Sequence, residues 1–169
     1  MIFFTGEPDI INGFKVIDIK NSWDIFTFFD AVAAYSEGYE WQLRTYMKLF
    51  GCTSAELVYT LNDAPDVLIL KALESESYKH PDRETPEWRE VQIVQSMVFT
   101  QENFDRFINI RGWGGDEFTD KLIEYFIPIP ENERMCRYQF KCDDDKVKFM
   151  QSRVVDARNY LKRLYAKAH

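Results

Sequence analysis

Asp18-Ile19-Lys20, preceded at short range by Pro8-Asp9, is the segment of this chain whose residue types could do chemistry. Two carboxylates and a lysine on one face of a sheet are the groups that metal-assisted hydrolysis of a phosphodiester requires. Magnesium takes hard oxygen ligands at about 2.0–2.1 Å, uses few protein carboxylates and keeps several waters. Asp9 and Asp18 would supply the carboxylates, the Ile19 carbonyl a further oxygen, and Lys20 a cation beside the attacking water. Manganese suits the same oxygen donors. A short D-x-K triplet also occurs wherever a half-buried strand ends in a surface ion pair, so the triplet needs its surroundings.

Those surroundings give it a geometry. Ile2-Phe4 and Ile10-Ile11 flank one extended run, and Phe14 to Ile19 forms a second. Asn12-Gly13 between them is a strong two-residue hairpin signal, because both residues tolerate positive φ. With Asn12-Gly13 as the turn, Ile11 pairs with Phe14 and Asp9 lies opposite Val16. Alternation then places Phe14, Val16, Asp18 and Lys20 on one face together with Asp9. Asp9 and Asp18 become diagonal neighbours, roughly 7–8 Å apart. A slip of one residue would separate them.

A helix is expected next, over Tyr39 to Phe50. Glu40, Arg44 and Lys48 recur every four residues and read as a solvated charged face. Leu43, Met47 and Phe50 make an apolar stripe. Gln42 and Tyr46 are one turn apart and project together, either as a boundary pair or as hydrogen-bonding partners for a carboxylate, a phosphate or a base. A strand follows over Ala55 to Leu61.

This order of parts resembles the PD-(D/E)XK nuclease superfamily. Within it, the Q-x-x-x-Y helix is similar to that of the RecB-like and YqaJ-like group of phage-type exonucleases. The matching residues are Gly6, Pro8-Asp9, Asp18-Ile19-Lys20, and Gln42 with Tyr46, all within residues 1–61. Arg134 to Phe140 followed by a long helix is similar to the tail of phage-type members. The resemblance implies an α+β, restriction-endonuclease-like mixed sheet flanked by helices in one nuclease-like domain over 1–169. Residues 1–61 would be its motif-bearing core and 62–169 a helical and strand elaboration. It implies a magnesium-dependent deoxyribonuclease of exonuclease type, serving phage-type recombination or DNA processing. Asp9 and Asp18 would hold the ion, Lys20 would serve the nucleophile, and Gln42 and Tyr46 would position the strand or a carboxylate. DNA is the expected partner, with a further copy of the chain or a phage recombination protein beside it. The expected location is the cytoplasm, that of a bacterial host if the gene is phage-borne. Such enzymes also carry a helix with a glutamate ahead of the first strand. Here Met1 stands almost at the hairpin: either the chain is truncated, or another segment supplies the missing parts, or, as the alternative to a nuclease, the fold no longer cuts and serves as a DNA-binding or assembly scaffold.

Composition sets outer bounds. At 169 residues, 46% hydrophobic and 16% aromatic, the chain has material for a sizeable core and is not a disordered segment. Cys52, Cys136 and Cys142 lack zinc spacing and read as reduced thiols. His80 and His169 are too scattered for a zinc site. The net charge of −7 is unevenly spread: from Lys146 onward there are seven basic residues and one acid, a balance of +6, leaving −13 elsewhere. Val147, Met150, Val154, Ala157, Leu161 and Leu164 mark this stretch as an amphipathic helix, capped by Asp143, Asp144 or Asp145. Lys148, Arg158, Lys162, Arg163 and Lys167 would track a phosphate backbone or form a solvated face. In the middle of the chain, residues 73–86 read as a loop, and Trp88 to Phe99 suits helix or strand. Gln101 to Ile110 and Asp116 to Phe126 read as helices, and Met135 to Lys141 as a strand. Trp23, Trp88 and Trp113 suit core packing, or stacking on unpaired bases.

Overall fold

The structure, a computed structural model, describes residues 6–79 and 84–168, the side chains of 167 and 168 excepted. The expected extended run at Ile2-Phe4, His80-Pro81, His169 and the Lys167 side chain lie outside the described residues. Two strands, β1 (Ile10–Asn12) and β2 (Lys15–Ser22), lead into helices α1 (Ile25–Ala33) and α2 (Glu37–Phe50). Strand β3 (Ser54–Leu61) follows, then four helices, α3 (Asp66–Lys79), α4 (Glu87–Gln95), α5 (Gln101–Arg111) and α6 (Glu117–Glu124). Strand β4 (Met135–Lys141) and a 25-residue helix, α7 (Asp144–Ala168), complete the order. The strands form one sheet in the order β1-β2-β3-β4.

The sheet is mixed. β1 and β2 are an antiparallel hairpin. Phe14 O accepts from Thr53 and Ser54, and Ser22 O from Asn62, so β2 and β3 advance together and are parallel. Leu61 N–H donates to Arg134 O and Cys142 N–H to Thr53 O, so β3 and β4 run in opposite senses. A parallel β2–β3 pair needs a crossover, which α1 and α2 provide.

The hairpin register differs from the expected one. Ile10 pairs with Ile17, Ile11 with Val16 and Asn12 with Lys15. The turn is therefore Gly13-Phe14, with Gly13 at φ +59° in the first central position, the arrangement of a type II′ turn. Phe14 leaves the strand face and is 74% exposed. The displacement is two residues, an even number, so every side chain keeps its face.

Chain contacts divide the molecule into two compact units. Among the described residues, the first comprises 6–19, 35–58 and 137–168, and the second 20–34, 59–79 and 84–136. In the first, α2 is capped by Ser36 at its start and stopped by Gly51 in the left-handed region. It buries Leu43, Tyr46 and Met47, the leucine and the methionine each worth about 1.5–3 kcal/mol relative to exposure. Phe50 of the expected stripe is instead 44% exposed. Helix α7 is capped by Asp143, whose Oδ1 accepts from Asp145 and Lys146 N–H. It packs on α2 through Trp41 against Phe149 and through the Thr45 hydroxyl on the Met150 sulfur.

The second unit holds a helical core of Ile69, Leu73, Val91, Val94, Val98, Phe104 and Phe107, with Trp113 against it. Phe104 stacks on Phe126 at 3.8 Å. The expected loop over 73–86 is a correction: α3 continues to Lys79. Its polar residues do not break it because Glu76, 8% exposed, is held by Lys79 and Arg89. The ambiguous stretch after Trp88 is helical to Gln95, and Trp113 is a core residue that donates to Glu90. No helix among the described residues is long and apolar enough to cross a membrane.

Candidate active site

The paired register ends at Ile10 with Ile17; one further step of it would bring Asp9 level with Asp18, where the expected register has Asp9 level with Val16. Asp18 is 3% exposed and Asp9 is exposed. The next pair would be Pro8 with Ile19, a position where two residues exchange both N–H···O bonds in an antiparallel ladder. Proline has no N–H. The ladder therefore cannot claim the Ile19 carbonyl, and β1 ends. The Ile19 N–H is taken instead by the Asp9 carboxylate, Oδ2 accepting at 2.6 Å. Pro8 and Asp9 thus have distinct jobs. Proline could not extend the ladder, and the Asp9 carboxylate is fixed by Ile19 N–H at the end of the strand.

Lys20 lies two residues on in β2, the first residue of the second unit, and strand alternation gives it the Asp18 side of the strand. It is partly exposed.

Gln42 and Tyr46 are joined, Gln42 Nε2 donating to the Tyr46 hydroxyl at 2.8 Å. Tyr46 is 6% exposed and lies over Gly6. A Cβ built on Gly6 would stand 2.4 Å from Tyr46 Cε1, so only glycine permits this approach. Gly6 is three residues ahead of Asp9, which puts the Q-x-x-x-Y face of α2 against the lead into the carboxylate hairpin. Gly6→Ala is expected to displace the Tyr46 ring and cost about 1–3 kcal/mol by overpacking. Thermal melting of Gly6→Ala alone and with Tyr46→Leu checks this, because the smaller side chain should recover the loss.

One carboxylate escaped the sequence reading. Glu56 on β3 is 3% exposed and is held by Lys15 and by Arg137, the latter at 2.9 Å. These partners identify its side of the sheet. Lys15 and Glu56 share the face on which Thr60 bonds Asn21, opposite to that of Asp18. Glu56 therefore cannot join Asp9 and Asp18. Its signal was present in the sequence: a single charge inside Ala55-Glu56-Leu57-Val58-Tyr59 must find a cation when that strand is central. Among the described residues, no group of three or more His, Cys, Asp or Glu side chains comes together to hold an ion.

Arg137 and Lys15 hold the Glu56 carboxyl below the ordinary glutamate range, against a smaller opposing effect of burial. A carboxyl more acidic in the folded state adds stability that is complete above the unfolded value. That stability is lost as pH falls through the folded one. Melting temperature is expected to drop below about pH 4.3, and Glu56→Gln should flatten that decline in a pH series of melts.

A second correction concerns α2. Glu40 and Arg44 are not on a solvated face: Arg44 is 5% exposed, bonds Glu40 Oε1 through Nε and Nη2, and donates from Nη1 to Lys141 O. Lys48 alone of the expected three is exposed. On α7, Lys148 pairs with Asp145, while Arg158, Lys162 and Arg163 are exposed.

The fold is similar to that of a phage-related exonuclease from Haemophilus somnus 129PT, known from its crystal structure, with a TM-score of 0.55 and 20% sequence identity. The match covers 92% of this chain and 52% of that one, so this chain spans about half the length of its structural neighbour. The chain thus has a nuclease-like fold: a mixed sheet flanked by helices. No family model and no curated protein matches its sequence.

Proposed function

We propose that the chain is a metal-dependent deoxyribonuclease, exonucleolytic and of the phage recombination type, with Asp9, Asp18, Ile19 and Lys20 at its centre. The observation that carries this reading is the Ile19 N–H bond to the Asp9 carboxylate, which fixes Asp9 at the end of the hairpin against the Asp18-Ile19-Lys20 strand. These residues offer two carboxylates and a carbonyl, a hard-oxygen donor set that fits magnesium or manganese. The structural likeness to a phage-related exonuclease supports it. An ion bound there would lower the pKa of its water and offset charge on the phosphoryl oxygen.

The chain's own residues do the remainder. Lys20 orients the attacking water and balances phosphate charge. The Tyr46 oxygen accepts from Gln42, which leaves its own O–H to donate to a phosphate or a carboxylate. The exposed cations Arg158, Lys162 and Arg163 on α7 lie along the DNA backbone, in a chain whose remainder is acidic. The assay is digestion of end-labelled linear DNA. Loss of labelled strand in magnesium, its abolition by EDTA, and a drop of 10²-fold or more in Lys20→Ala support the assignment. Activity unchanged in Lys20→Ala would reject it.

A second reading has one observation in its favour. The described residues bring no third carboxylate to Asp9 and Asp18. On that reading the sheet is a DNA-binding or assembly scaffold, and the protein binds DNA in a salt-dependent manner without cutting it.

A further inference from the structure

The first unit contains a cavity of about 430 Å³ that the carboxylate hairpin does not use. That volume falls in the range of small-ligand sites. Its walls come from the start of α2, the end of β4 and the start of α7. Residues far apart in sequence, Tyr35, Arg44, Tyr138 and Lys146 among them, meet there.

The lining divides into a cationic part and an aromatic part. Glu40 is the hub of the first: its Oε1 accepts from Arg44 and, at 2.9 Å, from Lys146 Nζ, and its Oε2 accepts from the Tyr35 hydroxyl at 3.1 Å. Burial alone would raise the Glu40 carboxyl, but Lys146 and Arg44 outweigh it and hold it below its ordinary value. Glu40 thus stays ionised and fixes both cations. A guanidinium has five N–H donors. Arg44 spends three, two on Glu40 and one on the Lys141 carbonyl, so two remain. Lys146 is 49% exposed and has donors beyond the one given to Glu40. The second carboxylate in the wall, Asp143, is occupied in capping α7, whose N-terminal dipole adds positive potential. The aromatic part is Tyr35, with ring centroids 5.0 Å from Tyr138 and 5.2 Å from Phe140, the latter edge-on.

We propose that this cavity is a nucleotide site, in which Arg44 and Lys146 take a phosphate and the Tyr35–Tyr138 aromatic wall takes the base. Fixed cations beside aromatic surface are the two elements that bind a phosphate and a base together. The nucleotide is either a free mononucleotide or the unpaired end of a strand. The site is separate from the Asp9–Asp18 pair and does not depend on hydrolysis.

Calorimetry in EDTA, with the full chain carrying Asp18→Asn, tests it apart from any cutting. The probes are dAMP, deoxyadenosine, inorganic phosphate and a 5′-phosphorylated single-stranded oligonucleotide. The expected result is dAMP binding at least tenfold tighter than deoxyadenosine or phosphate. Lys146→Gln and Tyr138→Leu should each weaken it tenfold or more, and Tyr138→Phe should restore it, with melting temperatures showing all three folded. An oligonucleotide that binds as tightly as dAMP identifies a strand-end site, and one that binds far more weakly identifies a site for the free nucleotide. No dAMP binding at millimolar concentration overturns the proposal. So does phosphate binding as tightly as dAMP, or dAMP affinity indifferent to Lys146→Gln and Tyr138→Leu.

Discussion

Asp18→Asn is expected to lower magnesium-dependent DNA hydrolysis by three orders of magnitude or more while leaving the protein folded. The substitution keeps the shape of a side chain that is 3% exposed and removes the charge that the proposed ion requires. Losing a group that acts on the reacting atoms costs about 10²–10⁴-fold, and an ion ligand affects both the nucleophile and the phosphate, which places this variant toward the upper end. Circular dichroism and a thermal melt check the fold, and initial rates on linear duplex DNA check the activity. Asp9→Asn should fall in the same direction by less, because the amide oxygen can still accept from Ile19 N–H and keep the hairpin end in place.

The largest stability loss is expected from Asp63→Ala, in the second unit. Asp63 accepts from the backbone N–H of Phe99 at 2.5 Å and of Thr100 at 3.1 Å, from the Thr100 hydroxyl at 2.5 Å and from Asn103 Nδ2 at 2.5 Å. Burial opposes its ionisation, and these four donors overcome it and hold the carboxyl below its ordinary value. The carboxylate ties the segment after β3 to the start of α5. Truncation strands several part-buried donors at once. With charged hydrogen bonds worth about 1.5–3 kcal/mol each and never fully additive, a loss of about 2–4 kcal/mol is expected. That lowers the melting midpoint by roughly 5–15 °C. Asp63→Asn retains an acceptor and should lose about half as much. DNA hydrolysis measured well below the new midpoint should change little, in contrast to Asp18→Asn.

Much of the architecture was legible because it rests on local signals. Met135 to Lys141 alternates well enough for a strand, and β4 has those bounds. The helix expected to end at Phe50 does so, and the cap of α7 is Asp143, one of the three aspartates the sequence offered. The faces read for the hairpin residues survived an error in register for a physical reason. Asn12-Gly13 is the stronger turn signal, yet Gly13-Phe14 is the turn, and a displacement of two residues preserves the face.

What was not legible depends on partners distant in sequence. Glu40 and Arg44 at four-residue spacing look alike on a solvated face and in a buried one. The Lys141 carbonyl, 97 residues away from Arg44, is among the contacts that decide between them. Glu76 hides the end of α3 in the same way, since its polar neighbours resemble a loop until Arg89 is placed against it. The cavity beside Arg44 has no motif because its walls are assembled from residues 35 to 146.

The central claim is that Asp9 and Asp18 together hold a divalent ion. Titration of manganese into the metal-free protein, followed by calorimetry or by loss of the free-ion paramagnetic signal, addresses it without any assay of cutting. The account predicts saturable binding by the wild type that is weakened tenfold or more by Asp9→Asn and by Asp18→Asn alike, with Glu56→Gln unchanged because that carboxylate faces the other side of the sheet. Binding equally tight in wild type, Asp9→Asn and Asp18→Asn, or none at millimolar manganese, would contradict it.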